Sequence, residues 1–421
     1  MATSSIHECP CLWNKETPPQ DKKMDEKKLK IEKVVYGGMG LARFEGKVHL
    51  VPFSAPGDTV LADCREKKDY SICTIKSIIE PSPVRKKPIC PHYMVCGGCH
   101  LQHVKQEAEI EIKKEFIQET IERIGGIKIQ LKEFISGKFH YYRNKLEYST
   151  FRGKPAFHGI DNRPFLMNEC FIDDKNIMKV RKNIQGLRGV RKLILRTDDT
   201  KRVFAILKGN FNQRKNRRIL NEAGVYYSIS PDKKWNREEF LEFRTGGLNL
   251  VVSPLSFFQV NKEILERMID LLPEFLLPDK KDIVIDAYSG VGTFGLSVSR
   301  YVKEVRLIEE SKFSSDDAIH NIRRNYIENI KVFRGKVEEN LDAFNGATKV
   351  ILDPPREGLH KNVIVALNEI RPERIVYISC NPSTLARDIK LLEDFKVDEV
   401  YGFNMFPLSY HVETIAILER E

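Results

Sequence analysis

Three things are missing from this chain, and each excludes a class of protein. No run of about 18 apolar residues occurs in the 421-residue sequence, so no membrane span is expected. Met1 to Asn14 lacks the charged-then-apolar pattern of a secretion signal, which makes a cytoplasmic location the expectation. The nine cysteines are odd in number and spread along a long chain, a usage that fits reduced thiols and ligands rather than a disulfide framework. What the chain does have is 41% hydrophobic residues, enough for two or three domains with real cores.

Charge is unevenly placed. The net charge is +10, yet Met178 to Leu220 alone carries fourteen Lys and Arg against two acidic residues, which leaves −2 for everything else. A solvated face is the plain explanation of a charge run, but an excess gathered into one segment is better explained by a polyanion such as nucleic acid. Lys22 to Lys33, with both signs mixed, reads as a solvated lead-in.

From about Leu29 to Ser82, short apolar alternations separated by turns such as Ala55-Pro56-Gly57-Asp58 predict a small all-β unit the size of a five-stranded barrel. Cys90, Cys96 and Cys99 follow within ten residues, with Gly97 and Gly98 letting the backbone wrap closely. Such clustering points to metal or cluster ligation, with Cys170 the best fourth ligand and His92, His100 and His103 the alternatives; spacing alone does not separate zinc from iron–sulfur. The pattern predicts a helix over His103 to Arg123, ended by Gly125-Gly126. Tyr141 to Lys145 then opens a strand-rich region that contains the basic segment, and its aromatics beside cations suit base stacking and phosphate contact.

From about Ser256 the pattern alternates apolar strands (283–287, 305–308, 331–333, 350–352, 375–379, 399–404 and 414–418) with helical stretches. That is an α/β, doubly wound, mainly parallel sheet with its ligand crevice at the strand C-termini. Gly290, Gly292 and Gly295 match G-x-G-x-x-G, and Glu309 ends the next strand, a pair of features shared by dinucleotide and S-adenosylmethionine sites. Asp353-Pro354-Pro355 closes a later strand, where the prolines stiffen the loop and aim Asp353 at the crevice. The following strand stops at Cys380, before Asn381 as N-cap and Pro382 as first helical residue. A sulfur just before a helix start is expected to favour thiolate, so Cys380 is a candidate nucleophile rather than a buried structural thiol. Hydride transfer has no evident use for it; methyl transfer to an unreactive carbon does.

At these residues the chain resembles the RNA uracil-5-methyltransferase family. The matching runs are Ser256-Phe-Phe-Gln259-Val-Asn261, Asp286 to Gly292, Asp353-Pro-Pro-Arg-Glu-Gly358, Ser379-Cys380-Asn381-Pro382 with Thr384, and Phe406 to Glu413. The resemblance spans nearly everything after the N-terminal tail and is nearest to the branch that modifies 23S ribosomal RNA. It implies Cys380 as nucleophile and Glu413 as general base, with Gln259, Tyr288, Glu309 and Asp353 lining S-adenosylmethionine. It also implies a 4Fe-4S cluster on Cys90, Cys96, Cys99 and Cys170, and a structural role is expected of that cluster. The expected organisation is an N-terminal tail (1–26), a TRAM-like, OB-like β-barrel (27–82), a central α+β RNA-binding domain (83–255) whose helix packs with the catalytic half, and a class I methyltransferase domain (256–421). A monomer acting on RNA, with no membrane partner, is expected; 23S ribosomal RNA is favoured and transfer RNA is the alternative.

The implied chemistry accounts for the residue types. Carbon 5 of uracil is a poor nucleophile until a thiolate adds at carbon 6, and the carbon 5 proton must then be removed by a base. The pyrimidine must also leave its stack to reach Cys380. Two other enzyme classes fit the residues less well. Amino-group methylation uses an Asp-Pro-Pro loop without a cysteine, and a TRAM-containing radical enzyme needs C-x3-C-x2-C where this chain has C-x5-C-x2-C. A non-enzymatic RNA-binding protein would carry no S-adenosylmethionine site.

Overall fold

In the computed structural model, which describes residues 25–230 and 239–421, all seven apolar runs expected of the C-terminal half are strands of one sheet. Its eight strands run in the order Ile330–Arg334, Glu304–Glu309, Ile283–Ala287, Lys349–Leu352, Arg374–Ser379, Glu413–Arg420, Phe395–Phe403 and Glu133–Ile135. The first five are mutually parallel. Their centre is completely apolar, as a sheet covered on both faces requires: Val284, Ile285, Val350, Ile351, Ile375 and Val376 are all fully buried. Glu133–Ile135 is an addition that periodicity does not flag, because three residues are too few to show a period.

Glu413–Arg420 runs antiparallel between the Cys380 strand and Phe395–Phe403. Reversal puts its first residue at the edge where the parallel strands end. Ser379 pairs with Thr414, so Cys380 and Glu413 flank that pair on one edge of the sheet.

The described residues divide into two compact units, each discontinuous in sequence. The sheet above belongs to the larger, together with a second sheet in which Lys145–Phe151, Val190–Thr197 and Val203–Gly209 are antiparallel neighbours and Tyr227–Ile229 adds in parallel. The basic segment supplies two of those strands and the helices Lys175–Asn183 and Gln213–Glu222. On the second helix Arg214, Lys215, Arg217 and Arg218 are exposed while Asn216 and Leu220 are buried, which is the one-sided charge expected of a polyanion-facing helix.

The smaller unit holds a six-stranded sheet (Asp25–Lys30, Thr59–Glu66, Tyr70–Glu80, Lys47–Pro52, Met39–Phe44, Lys33–Val35 in spatial order) around Leu29, Ile31, Ala42, Val51, Val60 and Ala62. Two expectations are corrected here. The mixed-charge lead-in is a strand from Asp25 onward, paired with Thr59–Glu66 and anchored by fully buried Leu29; the rest of the expected tail lies outside the described residues. The cysteines are not all reduced: Cys64 and Cys73 face each other in register on neighbouring strands and form a disulfide inside the barrel core. A count of cysteines cannot reveal a pair that only a hairpin brings face to face. The expected helix is Gln106–Thr120, continued by one wider turn to Gly125 and stopped at Gly126, whose φ of +74° suits glycine. No helix among the described residues is long and apolar enough to cross a membrane.

Candidate active site

The crevice is built from strand ends. After Ile283–Ala287 the chain turns through Tyr288 at φ +65° and Gly290 at φ +56° into the helix Thr293–Val298. Gly295 is required for close approach: a Cβ there would meet Leu307 at 2.4 Å and the Asp286 carboxylate at 2.9 Å. Gly295→Ala is therefore expected to lower stability by about 1–3 kcal/mol, the usual range for an overpacked site, readable as a drop in the thermal unfolding midpoint.

Asp286 is fully buried; one oxygen accepts the Gly295 N–H at 2.8 Å and the other has no hydrogen-bond partner. Burial pushes its carboxyl up to about 8, against the Gly295 bond and with help from Asp353 and Glu309. Glu309, at the end of the next strand, accepts from the Gly290 N–H at 2.8 Å and the Ser311 N–H at 2.7 Å, and burial raises its pKa. Tyr288 is half-buried, and burial raises its phenol as well. Gln259 is half-buried just before the N-cap Asn261; its carbonyl accepts from the Asn144 side chain at 3.1 Å, and Asn261 donates to the Met405 carbonyl at 3.3 Å. Asp353 and Glu309 both raise Asp286, so the crevice gathers acidic side chains whose ionised forms a cationic ligand would favour.

The reactive corner lies on the same edge. Asp353 follows Lys349–Leu352, and burial lifts its pKa to about 7. The helix after Cys380 holds the loop that follows Asp353. The Asn381 side chain and the Thr384 hydroxyl both donate to the Arg356 carbonyl, at 3.1 and 3.2 Å. Asp388, fully buried, accepts the Leu359 N–H at 2.8 Å and the Tyr377 hydroxyl at 2.7 Å. Asn381 caps that helix by accepting the Ser383 N–H, as the sequence predicts.

The expected thiolate is corrected. Burial pushes the Cys380 thiol up to about 11, with Glu413 and Asp353 raising it further and Arg356 opposing. Proximity to a helix start does not outweigh removal from water. Glu413, buried at 3% exposure, is also held well above the carboxylate range, by burial first and Asp353 next, with Arg356 pulling it back. In the free protein burial therefore favours the thiol form of Cys380 and raises the proton affinity of Glu413. Alkylation of Cys380 is expected to rise about tenfold per pH unit from pH 7 towards 10, since only the thiolate reacts; mass-spectrometric mapping of iodoacetamide labelling measures this.

Arg356 has no role that sequence reasoning assigns, although it stands in the Asp-Pro-Pro-Arg run. It is the cation that acts on both Cys380 and Glu413 and also shares a hydrogen bond with the thiol.

The cysteine loop lies in the smaller unit. His92 carbonyl accepts from both Val95 and Cys96 N–H, at 3.0 and 2.8 Å, and Met94 sits at φ +69°. Burial pushes the Cys99 thiol up to about 12, with Cys96 and Cys90 raising it further. Cys170, buried, belongs to the larger unit. The three alternative ligands each have a neighbour of their own. His103 meets the Tyr93 hydroxyl at 2.6 Å, His100 packs on the Tyr410 ring at 4.7 Å, and His92 lies 5.4 Å from the Phe165 ring. A group not anticipated is His49 with Cys64 and Cys73, all buried, whose ligand atoms lie within 4.8 Å of one another, the two sulfurs being the disulfide.

Comparison with known proteins follows the same division. The family model described as tRNA (Uracil-5-)-methyltransferase matches residues 248–351 and 340–421, and that described as the TRAM domain of tRNA (uracil(54)-C(5))-methyltransferase matches 28–84. An uncharacterized RNA methyltransferase of Caldanaerobacter subterraneus subsp. tengcongensis is 32% identical, over 94% of this chain and 99% of its own. The 23S rRNA (uracil(1939)-C(5))-methyltransferase of Aliivibrio fischeri is 27% identical over 96% and 99%. Among solved structures, the Pyrococcus abyssi tRNA (uracil-54, C5)-methyltransferase in complex with S-adenosyl-L-homocysteine matches with a TM-score of 0.73 and 27% identity, over 93% of this chain and 99% of that one.

Proposed function

Because the chain belongs to the RNA uracil-5-methyltransferase family with a TRAM domain, and is an S-adenosylmethionine-dependent enzyme of RNA, we propose that it methylates carbon 5 of a uridine in 23S ribosomal RNA through a covalent bond to Cys380, with Glu413 as general base. The observation that carries this reading is the meeting of Cys380, Arg356, Asp353 and Glu413 at one sheet edge, beside a carboxylate-lined crevice.

S-adenosylmethionine supplies an electrophilic methyl group on a sulfonium. The residues present fit it: Asp286 has a buried oxygen without a partner, and Asp286, Glu309 and Asp353 suit a cation. Glu309 and Tyr288 would hold its nucleoside end, while Gln259 and Asp353 would line the end near the reaction.

Cys380 releases its proton to solvent as Sγ bonds to carbon 6, and the electron pair of the 5,6 double bond moves towards carbon 5 and the carbonyl oxygen. Arg356 opposes the cost of negative charge on sulfur. Carbon 5 then takes the methyl group as the donor's sulfur–methyl bond breaks. Glu413, once ionised, accepts the carbon 5 proton; a carboxyl whose proton affinity is this high is a strong base. The freed electron pair restores the 5,6 double bond, the carbon 6–sulfur bond breaks, and Cys380 regains a proton. The net products are 5-methyluridine, S-adenosylhomocysteine and one proton.

We place a 4Fe-4S cluster on Cys90, Cys96, Cys99 and Cys170. In support, Cys96 and Cys90 both raise the proton affinity of the Cys99 thiol in a half-buried loop, an arrangement that positive charge among them would relieve. When bound, the cluster would brace the loop. Iron and sulfide assays on anaerobically purified protein are expected to give one cluster per chain, lost in Cys96→Ser.

The test of the function is a transcript with 5-fluorouridine at the target, which leaves no proton for Glu413 to remove. With S-adenosylmethionine present, a denaturation-resistant adduct on Cys380 is expected, and its absence with folded protein overturns the reading. Transfer RNA is the second reading, favoured by the substrate of the Pyrococcus abyssi protein. Mapping 5-methyluridine in ribosomal and transfer RNA from cells lacking the gene decides between the two.

A further inference from the structure

We propose that Glu109 and Lys113 are positioning residues for Glu413, acting through the Phe406–His411 loop that leads into it; the inference rests on the role of Glu413 proposed above. The two lie four residues apart on the helix Gln106–Thr120 and form an ion pair at 2.8 Å, with side chains 1% and 0% exposed. A buried ion pair is a poor way to stabilise a helix, because desolvation offsets the attraction and an apolar pair of similar volume does as well. Its value must come from what else the charges hold.

Both hold the same short loop. Lys113 Nζ donates to the Phe406 carbonyl at 3.0 Å, and Glu109 Oε1 accepts the Leu408 N–H at 2.9 Å. From a second direction, the N–H groups of His100 and Leu101 both donate to the Leu408 carbonyl, at 2.8 and 3.0 Å. Leu408 is thereby fixed through both of its peptide groups, in a left-handed conformation with φ +67° that a leucine rarely adopts unaided. Two residues on, Tyr410 is buried against Val34, Leu101, Val104, Ile112 and Phe116.

This loop closes a tight connection. It joins Phe403 to Glu413, which face each other as the last pair between their strands. Glu413 is therefore the residue on which any slack in Phe406–His411 is felt first. Sequence position gives a further reason for the arrangement: His100 directly follows Cys99, so the end of the cysteine loop and Glu109 hold the two sides of one and the same residue, Leu408. The charges hold the loop, and the loop holds the base.

A defect confined to the base has a signature that general destabilisation lacks. Without proton removal from carbon 5, the methylated uracil stays bonded to Cys380, so the covalent protein–RNA species accumulates. The experiment uses the full-length enzyme, S-adenosylmethionine and an unsubstituted target transcript, and measures adduct formation and product release in a single turnover. Lys113→Met and Glu109→Gln are expected to slow release tenfold or more while adduct formation stays within about twofold, the pattern also expected of Glu413→Gln. Lys113→Arg, which keeps the charge, is expected to recover most of the release rate. Leu408→Gly leaves the ion pair in place and loosens the loop; it is expected to slow release as well, and it carries the test if the charge variants do not fold.

Equal loss of adduct formation and release in the folded variants would assign the pair a merely structural role and overturn the proposal, as would unchanged release. If Glu413→Gln itself accumulates no adduct, the base assignment fails instead. If Glu413→Gln accumulates adduct and none of the other variants does, only the positioning role fails.

Discussion

Cys380→Ala is expected to reduce methyl transfer by on the order of 10⁴-fold or more, the scale on which loss of a covalent nucleophile falls, while binding of S-adenosylmethionine changes little. The reason is chemical. No other described thiol shares the edge formed by Asp286, Glu309, Asp353 and Glu413, and carbon 5 does not attack a sulfonium without prior addition at carbon 6. The prediction also separates two classes of enzyme. If the Asp-Pro-Pro loop served an exocyclic amine, Asp353 would be needed and Cys380 would be dispensable, so a Cys380→Ala protein with near-normal turnover would remove the covalent mechanism altogether. The measurement is methyl incorporation from labelled S-adenosylmethionine into a target transcript, with equilibrium cofactor binding as the control that the crevice is intact. Serine in place of Cys380 is expected to be nearly as damaging, because a hydroxyl is far harder to ionise than a thiol.

The sheet is legible in the sequence because its signals are local and periodic. Each strand from Ile283 to Thr414 carries a short apolar stretch, and the strand ends carry Asp286, Glu309, Asp353 and Cys380, so the sheet edge on which these residues gather can be read without coordinates. What stays hidden depends on pairing between distant parts of the chain. The Cys64–Cys73 disulfide needs a hairpin to bring the two sulfurs together. The grip of Glu109 and Lys113 on Phe406 and Leu408 joins residues nearly 300 positions apart. Arg356 is visible as a letter in a motif but has no role there, since its effect on Cys380 and Glu413 emerges only when both are placed beside it. The thiolate expectation fails for a related reason. A helix start can be read from Asn381 and Pro382, whereas the degree of burial that opposes it cannot. Burial thus favours the thiol form of Cys380 and raises the proton affinity of Glu413, and neither effect can be read from a helix-start signal.

Glu413→Gln is expected to stop turnover at a different place from Cys380→Ala. Glutamine keeps the shape and removes the base, so addition at carbon 6 and transfer of the methyl group proceed while loss of the carbon 5 proton does not. Overall rate is expected to fall by about 10²–10⁴-fold, the range for loss of a general base, and a protein–RNA adduct stable to denaturation is expected to build up on ordinary uridine. The pH dependence carries a matching sign. Burial and Asp353 raise the pKa of Glu413, so its ionised, proton-accepting form grows as pH rises above the usual carboxylate range, and release of product by the parent enzyme is expected to speed up with rising pH. In Glu413→Gln that rise should vanish, because the amide does not titrate. Asp353→Asn removes the carboxylate that raises Glu413, and the rising limb is then expected to move to lower pH. A release rate in Glu413→Gln that still climbed with pH, with no adduct trapped, would mean that some other group, or water, takes the proton from carbon 5. Glu413 would then be only a buried neighbour of the thiol whose proton affinity it raises.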